Sequence, residues 1–177
     1  AQLQVGGEAR TNETGKARLD LLPDGTILRL PPNSSFKLTE LQGDQSSPFT
    51  RLGLFFGKIF IILSGGELEV ETPSGVAAVR GSMMSVYYDP ETGNLTATCL
   101  EGHCSLRNDK GVIELAEGQA ADIRDGVLSN APRALTDAEL LDWLNFVPET
   151  DRVLDRLPRL RQLRDRIREI IPPRRRP

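Results

Sequence analysis

Few residues in this chain could do chemistry, and three of them fall together. Cys99, His103 and Cys104 are the two thiols and the single imidazole of the 177 residues. A structural zinc site needs four ligands, usually from two separated pairs, and the sequence has no second pair. No metal or cofactor is therefore expected. A hydroxyl or thiol nucleophile would need His103 as its base, yet His103 lies beside an expected turn, where it reads as a surface or cross-strand residue. No catalytic residue can be named, and the chain is not expected to be an enzyme.

The two cysteines have a more specific reading. If Glu101-Gly102 is a two-residue hairpin turn, Leu100 and His103 close it as the hydrogen-bonded pair. Cys99 and Cys104 then form the next pair, the non-hydrogen-bonded kind in which side chains approach most closely. That geometry accepts a disulfide. Two free buried thiols are the alternative. Glu67, Glu69 and Glu71 alternate along one expected strand and could gather cations, but a solvated outer face is the expectation. Asn12, Asn33 and Asn94 each open an Asn-x-Ser/Thr glycosylation pattern at an expected turn or strand edge.

The elements that must position these residues are mostly strands. Ala17–Leu21 and Ile27–Leu30 alternate apolar and charged side chains around Pro23-Asp24-Gly25, a turn signal. Ser35–Leu41 alternates less regularly, and Gln42–Pro48 reads as an exposed loop. Arg51–Leu63 is nearly continuous in apolar residues, as in one or two strands covered on both faces. Glu67–Thr72, Val76–Arg80, Met83–Tyr88, Leu95–Leu100, His103–Arg107, Val112–Leu115 and Ala120–Ile123 follow at short intervals. Such spacing predicts an all-β sandwich or roll of many short, mostly antiparallel strands. The domain expected is 1–128, with a linker at 129–135 and a helical C-terminal arm at 136–177.

The arm opens on a capping box, Thr136-Asp137-Ala138-Glu139. Leu140, Leu141, Trp143, Leu144 and Val147 form a helical apolar face that Pro148 ends. A second helix, interrupted at Pro158, carries Val153, Leu157, Leu160, Leu163, Ile167, Ile170 and Ile171 at spacings of three or four. Pro172-Pro173 should stop it, and Arg174, Arg175 and Arg176 make an extended basic end.

Net charge hides an asymmetry. Residues 151–177 hold ten arginines and four acids, a net +6, while residues 1–150 carry −9. The arm has no aromatic residue on which bases could stack, so no nucleic-acid partner is expected. A membrane surface suits a basic amphipathic helix. Docking of the apolar stripe on protein, with arginines meeting acids, is favoured over it. The longest apolar run is Ile59–Leu63, far short of the roughly 18–20 residues of a spanning helix. No charged-then-apolar leader opens the sequence, so a signal peptide is expected to have been removed or never to have existed.

From about Leu3 to Ile123 the sequence resembles the FecR domain family. Leu22-Pro23-Asp24-Gly25-Thr26, then Leu28-Arg29-Leu30 and Pro32-Asn33-Ser34, are similar to the family's opening. Gly57-Lys58-Ile59 and Leu68-Glu69-Val70-Glu71-Thr72-Pro73 resemble its middle strands. Val76-Ala77-Ala78-Val79-Arg80-Gly81-Ser82 resembles its most specific piece. Cys99-Leu100-Glu101-Gly102 and Glu117-Gly118-Gln119 resemble its later turns. The resemblance implies an all-β extracytoplasmic domain, a compartment in which a disulfide persists. Classical members add an anti-sigma segment with a membrane span and a C-terminal signalling domain, which these 177 residues do not match.

Three functions compete. The first expectation is a non-catalytic structural protein outside the cytoplasm that assembles with other copies of itself, as a surface or filament subunit. Its contacts would be β edges and the arm's Val153, Leu157, Leu160, Leu163, Ile167, Ile171, Arg174, Arg175 and Arg176, with another cell-surface protein as a further partner. The alternative is a FecR-type periplasmic signal-transduction module that contacts a receptor or regulator. The third, a carbohydrate-binding module, would display exposed aromatics, which make up only 5% of this sequence. Each places the protein extracellularly, at the cell surface or in the periplasm.

Overall fold

The computed structural model describes residues 3–22, 24–43 and 46–171. Pro23 of the expected first turn, the Pro172-Pro173 stop and Arg174, Arg175 and Arg176 lie outside the described residues. The fold is all-β with a C-terminal helical arm, and the chain divides into two compact units, 1–134 and 135–177.

Twelve strands lie among the described residues of the first unit: β1 (Glu8–Arg10), β2 (Ala17–Leu21), β3 (Thr26–Leu30), β4 (Ser35–Gln42), β5 (Phe49–Ile62), β6 (Glu67–Thr72), β7 (Gly75–Asp89), β8 (Asn94–Asn108), β9 (Gly111–Leu115), β10 (Gln119–Arg124), β11 (Val127–Leu128) and β12 (Arg133–Ala134). Among the described residues all pairings are antiparallel except β5 with β6.

Two strands are much longer than the sequence predicts, and the run expected as one or two strands over Arg51–Leu63 is a single strand, β5. The expected pairs 76–80 with 83–88, and 95–100 with 103–107, are in fact single strands, β7 and β8. Each long strand changes neighbours along its length. Residues 49–53 of β5 lie between β4 and β6, whereas residues 57–62 pair with β7 and, at 60–62, also with β3. Residues 75–80 of β7 pair with β6, and residues 83–88 pair with β5. In β8, residues 95–99 pair with β10 and residues 104–108 with β9. The sheet therefore has two halves, β1-β4-β5-β6-β7-β8-β9 and β2-β3-β5-β7-β8-β10, joined through three shared strands. Strands that bend to pass from one sheet to another are how such corners form.

The halves enclose one core. Leu28, Leu30, Phe36, Leu38, Leu52, Ile59, Ile61, Leu68, Val70, Val79, Met84, Val86, Leu95, Leu106 and Ile123 are buried in a single cluster. Their alternation with polar neighbours on β3, β6 and β10 reflects the two-residue repeat of a strand. Burial of each large aliphatic side chain contributes about 1.5–3 kcal/mol. Gly57 lets β5 turn its corner. Its φ is +84°, and a side chain there would run into the Asn33 carbonyl and Ser34.

The second unit holds α1 (Asp137–Phe146), α2 (Thr150–Leu154) and α3 (Pro158–Ile170). The capping box forms: the Thr136 hydroxyl accepts from the Glu139 amide, and the Glu139 carboxylate accepts from the Thr136 amide. Pro158 occupies the first turn of α3, where its missing N–H costs nothing. α1 and α2 both pack on α3, and Leu140, Trp143, Val153, Leu154, Leu160 and Ile167 are buried. The Thr150 hydroxyl donates to the Trp143 carbonyl and joins α1 to α2. No described helix is long and apolar enough to cross a membrane.

Candidate functional site

The most constrained local geometry is the corner where β7 and β8 bend side by side. Gly81, Ser82 and Gly102 have φ values of +57°, +138° and +87°, and the register slips between Arg80 and Met83. The Ser82 hydroxyl donates to the Glu101 carboxylate across the corner. Cys99 and Cys104 form a disulfide with 5.8 Å between their Cα atoms. Five residues of straight strand would separate them by about 16 Å, so the bond records a sharp fold within one strand.

This corrects the hairpin expectation. Glu101-Gly102 is a bend in β8 and not a turn between two strands, so the cysteines are not cross-strand partners. Cys99 sits opposite Met84 and Gln119, and Cys104 opposite Val79 and Leu115. Both are buried. His103 is exposed on the rim, its Nε2 3.6 Å from Glu114 on the neighbouring strand. A cavity of about 180 Å³ lies there, lined by Glu67, Ala78, Arg80, His103, Ser105 and Glu114. Among the described residues no group of three or more His, Cys, Asp or Glu side chains could hold a metal ion.

The acidic strand β6 is not the solvated face its sequence suggests. Glu69 is buried, and each of its oxygens is engaged: Oε1 accepts from Arg107 at 2.9 Å and Oε2 from Arg51 at 3.2 Å. Arg51 also meets Glu40 on one side and Glu71, at 3.1 Å, on the other. Glu67 pairs with Arg80 at 3.0 Å. The partners come from β4, β5, β7 and β8, and burial without them would be costly for a carboxylate. The stripe is thus half of an interlocked charge ladder across one half-sheet.

A second charge node fixes the edge of the other half-sheet. Asp122 on β10 accepts from Thr96 at 2.7 Å and from Arg133 at 2.7 Å, with Arg124 at 3.2 Å. Burial alone would push its carboxyl up. The hydrogen bonds from Arg133 and Thr96, with the charges of Arg133 and Arg124, outweigh burial and hold it below the usual carboxylate range. Two-residue β12 pairs with β10 at Gln119–Ala134 and Ala120–Arg133, and the Arg133–Asp122 contact adds a side-chain tie to that edge.

In the helical unit, Arg164 is the buried ion. Its guanidinium reaches Asp155 and Asp165 at 3.0 Å and Asp151 at 3.2 Å. Arg168 shares Asp151 at 2.8 Å. Of the arm's apolar stripe, Val153, Leu160 and Ile167 are buried and Leu157 and Leu163 half-buried, whereas Ile170 and Ile171 are 76% and 44% exposed. The glycosylation patterns lie at the surface: Asn12 and Asn33 are exposed and Asn94 half-exposed. The Asn12 side chain accepts from the Thr14 and Gly15 amides.

The sequence reasoning missed Arg51, Asp122 and Arg164 as organising residues. Most of their partners lie on other elements: Glu40, Glu69 and Glu71 for Arg51, Thr96 and Arg133 for Asp122, and Asp151 and Asp155 for Arg164, so local spacing does not mark them as nodes.

The family model of FecR protein matches residues 7–105. No curated protein matches the chain. Two crystal structures of a candidate anti-sigma factor from Parabacteroides distasonis ATCC 8503 resemble it, each at 18% identity with a TM-score of 0.63. The likeness covers 77% of this chain and 63% and 64% of those chains, so the chain spans less than two thirds of their length. At that identity the likeness is one of fold.

Proposed function

We propose a function from one premise: the chain belongs to the FecR protein family. It acts as the β module of an extracytoplasmic signal-transduction protein, binding a receptor or regulator without catalysing a reaction. The observation that carries this reading is the family match over 7–105, which takes in the shared strands of both half-sheets and the disulfide corner. The fold likeness to a candidate anti-sigma factor supports it. So does the chemistry on view, since the buried charges are locked into ladders and Cys99 and Cys104 are joined. A disulfide belongs with an oxidising compartment. The comparisons favour this reading over the assembly subunit.

Two measurements test it. Deleting the encoding gene in the source organism should shift the abundance of a defined set of transcripts, and an unchanged transcript profile would sink the regulatory reading. A membrane-impermeant protease applied to spheroplasts should reach the β unit, whereas full protection until lysis would overturn its placement.

A further inference from the structure

The helical unit spends its acids unevenly. Buried Arg164 draws in Asp151, Asp155 and Asp165, and Arg168 shares Asp151. Arg152, Arg159, Arg161 and Arg166 are exposed around them. Arg159, Arg166 and Ile170, at spacings of seven and four, share one side of α3, away from buried Leu160, Arg164 and Ile167. At the C-terminal end of that side Ile170 and Ile171 stand out into solvent beside a cleft of about 150 Å³. Ala138, Leu141 and Ile167 line the cleft, with Asp137 at its edge. In sequence, Arg174, Arg175 and Arg176 follow.

We propose that the exposed face of α3 binds the anionic headgroup surface of a lipid bilayer, with Arg159 and Arg166 meeting headgroup phosphates and Ile170 and Ile171 entering the acyl boundary. Charge complementarity selects an anionic partner. Two adjacent exposed isoleucines beside cations select a bilayer over an acidic protein, because a membrane interface takes apolar side chains and lets arginine stems lie along it while the guanidinium stays wet. The buried stripe explains why this face is the one available. Val153, Leu160 and Ile167, which would have led the arm to dock on protein, are already covered by the chain itself. The inference does not rest on the signalling reading.

The test is co-sedimentation of the full chain with vesicles of phosphatidylcholine alone and of phosphatidylcholine with phosphatidylglycerol. Binding to the anionic vesicles should exceed binding to the neutral ones at least tenfold and fall steeply with added salt. The double change Arg159→Glu, Arg166→Glu should lower it at least tenfold, and Ile170→Ser, Ile171→Ser should lower it at low salt. Circular dichroism should confirm that these surface variants keep their helices. Equal binding to both vesicle types, or no loss in the charge-reversed variant, overturns the proposal. If only Arg174→Glu, Arg175→Glu, Arg176→Glu abolishes binding, the assignment to α3 falls. If the chain ignores vesicles and sediments as a salt-sensitive oligomer, the face takes the acidic body of a second copy instead.

Discussion

Gly102 approaches the Gly81 carbonyl so closely that a methyl group on its Cα would collide with that oxygen. The two glycines lie on neighbouring strands at one corner, yet they are not equivalent. A side chain at Gly81 would meet nothing within 4 Å. Gly81→Ala should therefore cost about 1 kcal/mol, the price of a left-handed backbone alone. Gly102→Ala adds a backbone clash and should cost about 3 kcal/mol or more. Urea unfolding of both variants checks this. Equal losses would mean that the corner is not packed as described.

The Cys99–Cys104 bond should leave both thiols blocked in freshly isolated protein, as intact mass after alkylation without reductant would show. The loop it closes is short, so replacing both cysteines by alanine should lower stability by about 2 kcal/mol. Alkylation of both thiols in unreduced protein would refute the bond.

Asp122 ties stability to acidity. Its folded-state pKa lies below the ordinary value, so the unfolded chain takes up the proton at higher pH. The stabilisation is complete above the unfolded value and is lost as pH falls through the lower folded one. Asp122→Asn should unfold more readily than the parent near neutral pH, and the gap should close in acid. A gap that stays constant across that range would show that the carboxylate's charge is not what matters.

Arg164→Ala should lower the cooperativity and midpoint of helix loss followed at 222 nm. Its acidic partners are largely exposed, so the expected cost is about 1–2 kcal/mol and not that of a deeply buried pair. Arg159→Ala, on the exposed side of the same helix, is the control and should change little.

How much of this was legible in the sequence depended on how far apart the cause and the effect lay. The Glu67–Thr72 alternation and the Thr136–Glu139 box are local, and both elements stand where they were expected. The corner was not legible, because Glu101-Gly102 offers the same positive-φ glycine to a hairpin turn and to a bent strand. The bent strand is paired on both sides, with Val79 and Met84 on β7 and with Leu115 and Gln119 beyond, partners distant in sequence that no local pattern shows. The disulfide was expected from a hairpin that does not exist. Glu69 looked solvated because Arg51 and Arg107, which bury its charge, stand 18 and 38 residues away. β1, β11 and β12 have two or three residues each, too few to show a period.

The three strands shared between half-sheets also bear on how the β unit would answer a mechanical load. Each of β5, β7 and β8 runs as unbroken backbone from one half into the other. A pull on one half reaches the other through peptide bonds, not only through side-chain contact. Neither half can slip away from its counterpart while these strands hold, and at β8 the Cys99–Cys104 bond clamps the bend against straightening. Tension entering at any edge strand is therefore shared across the unit, which should yield as one piece.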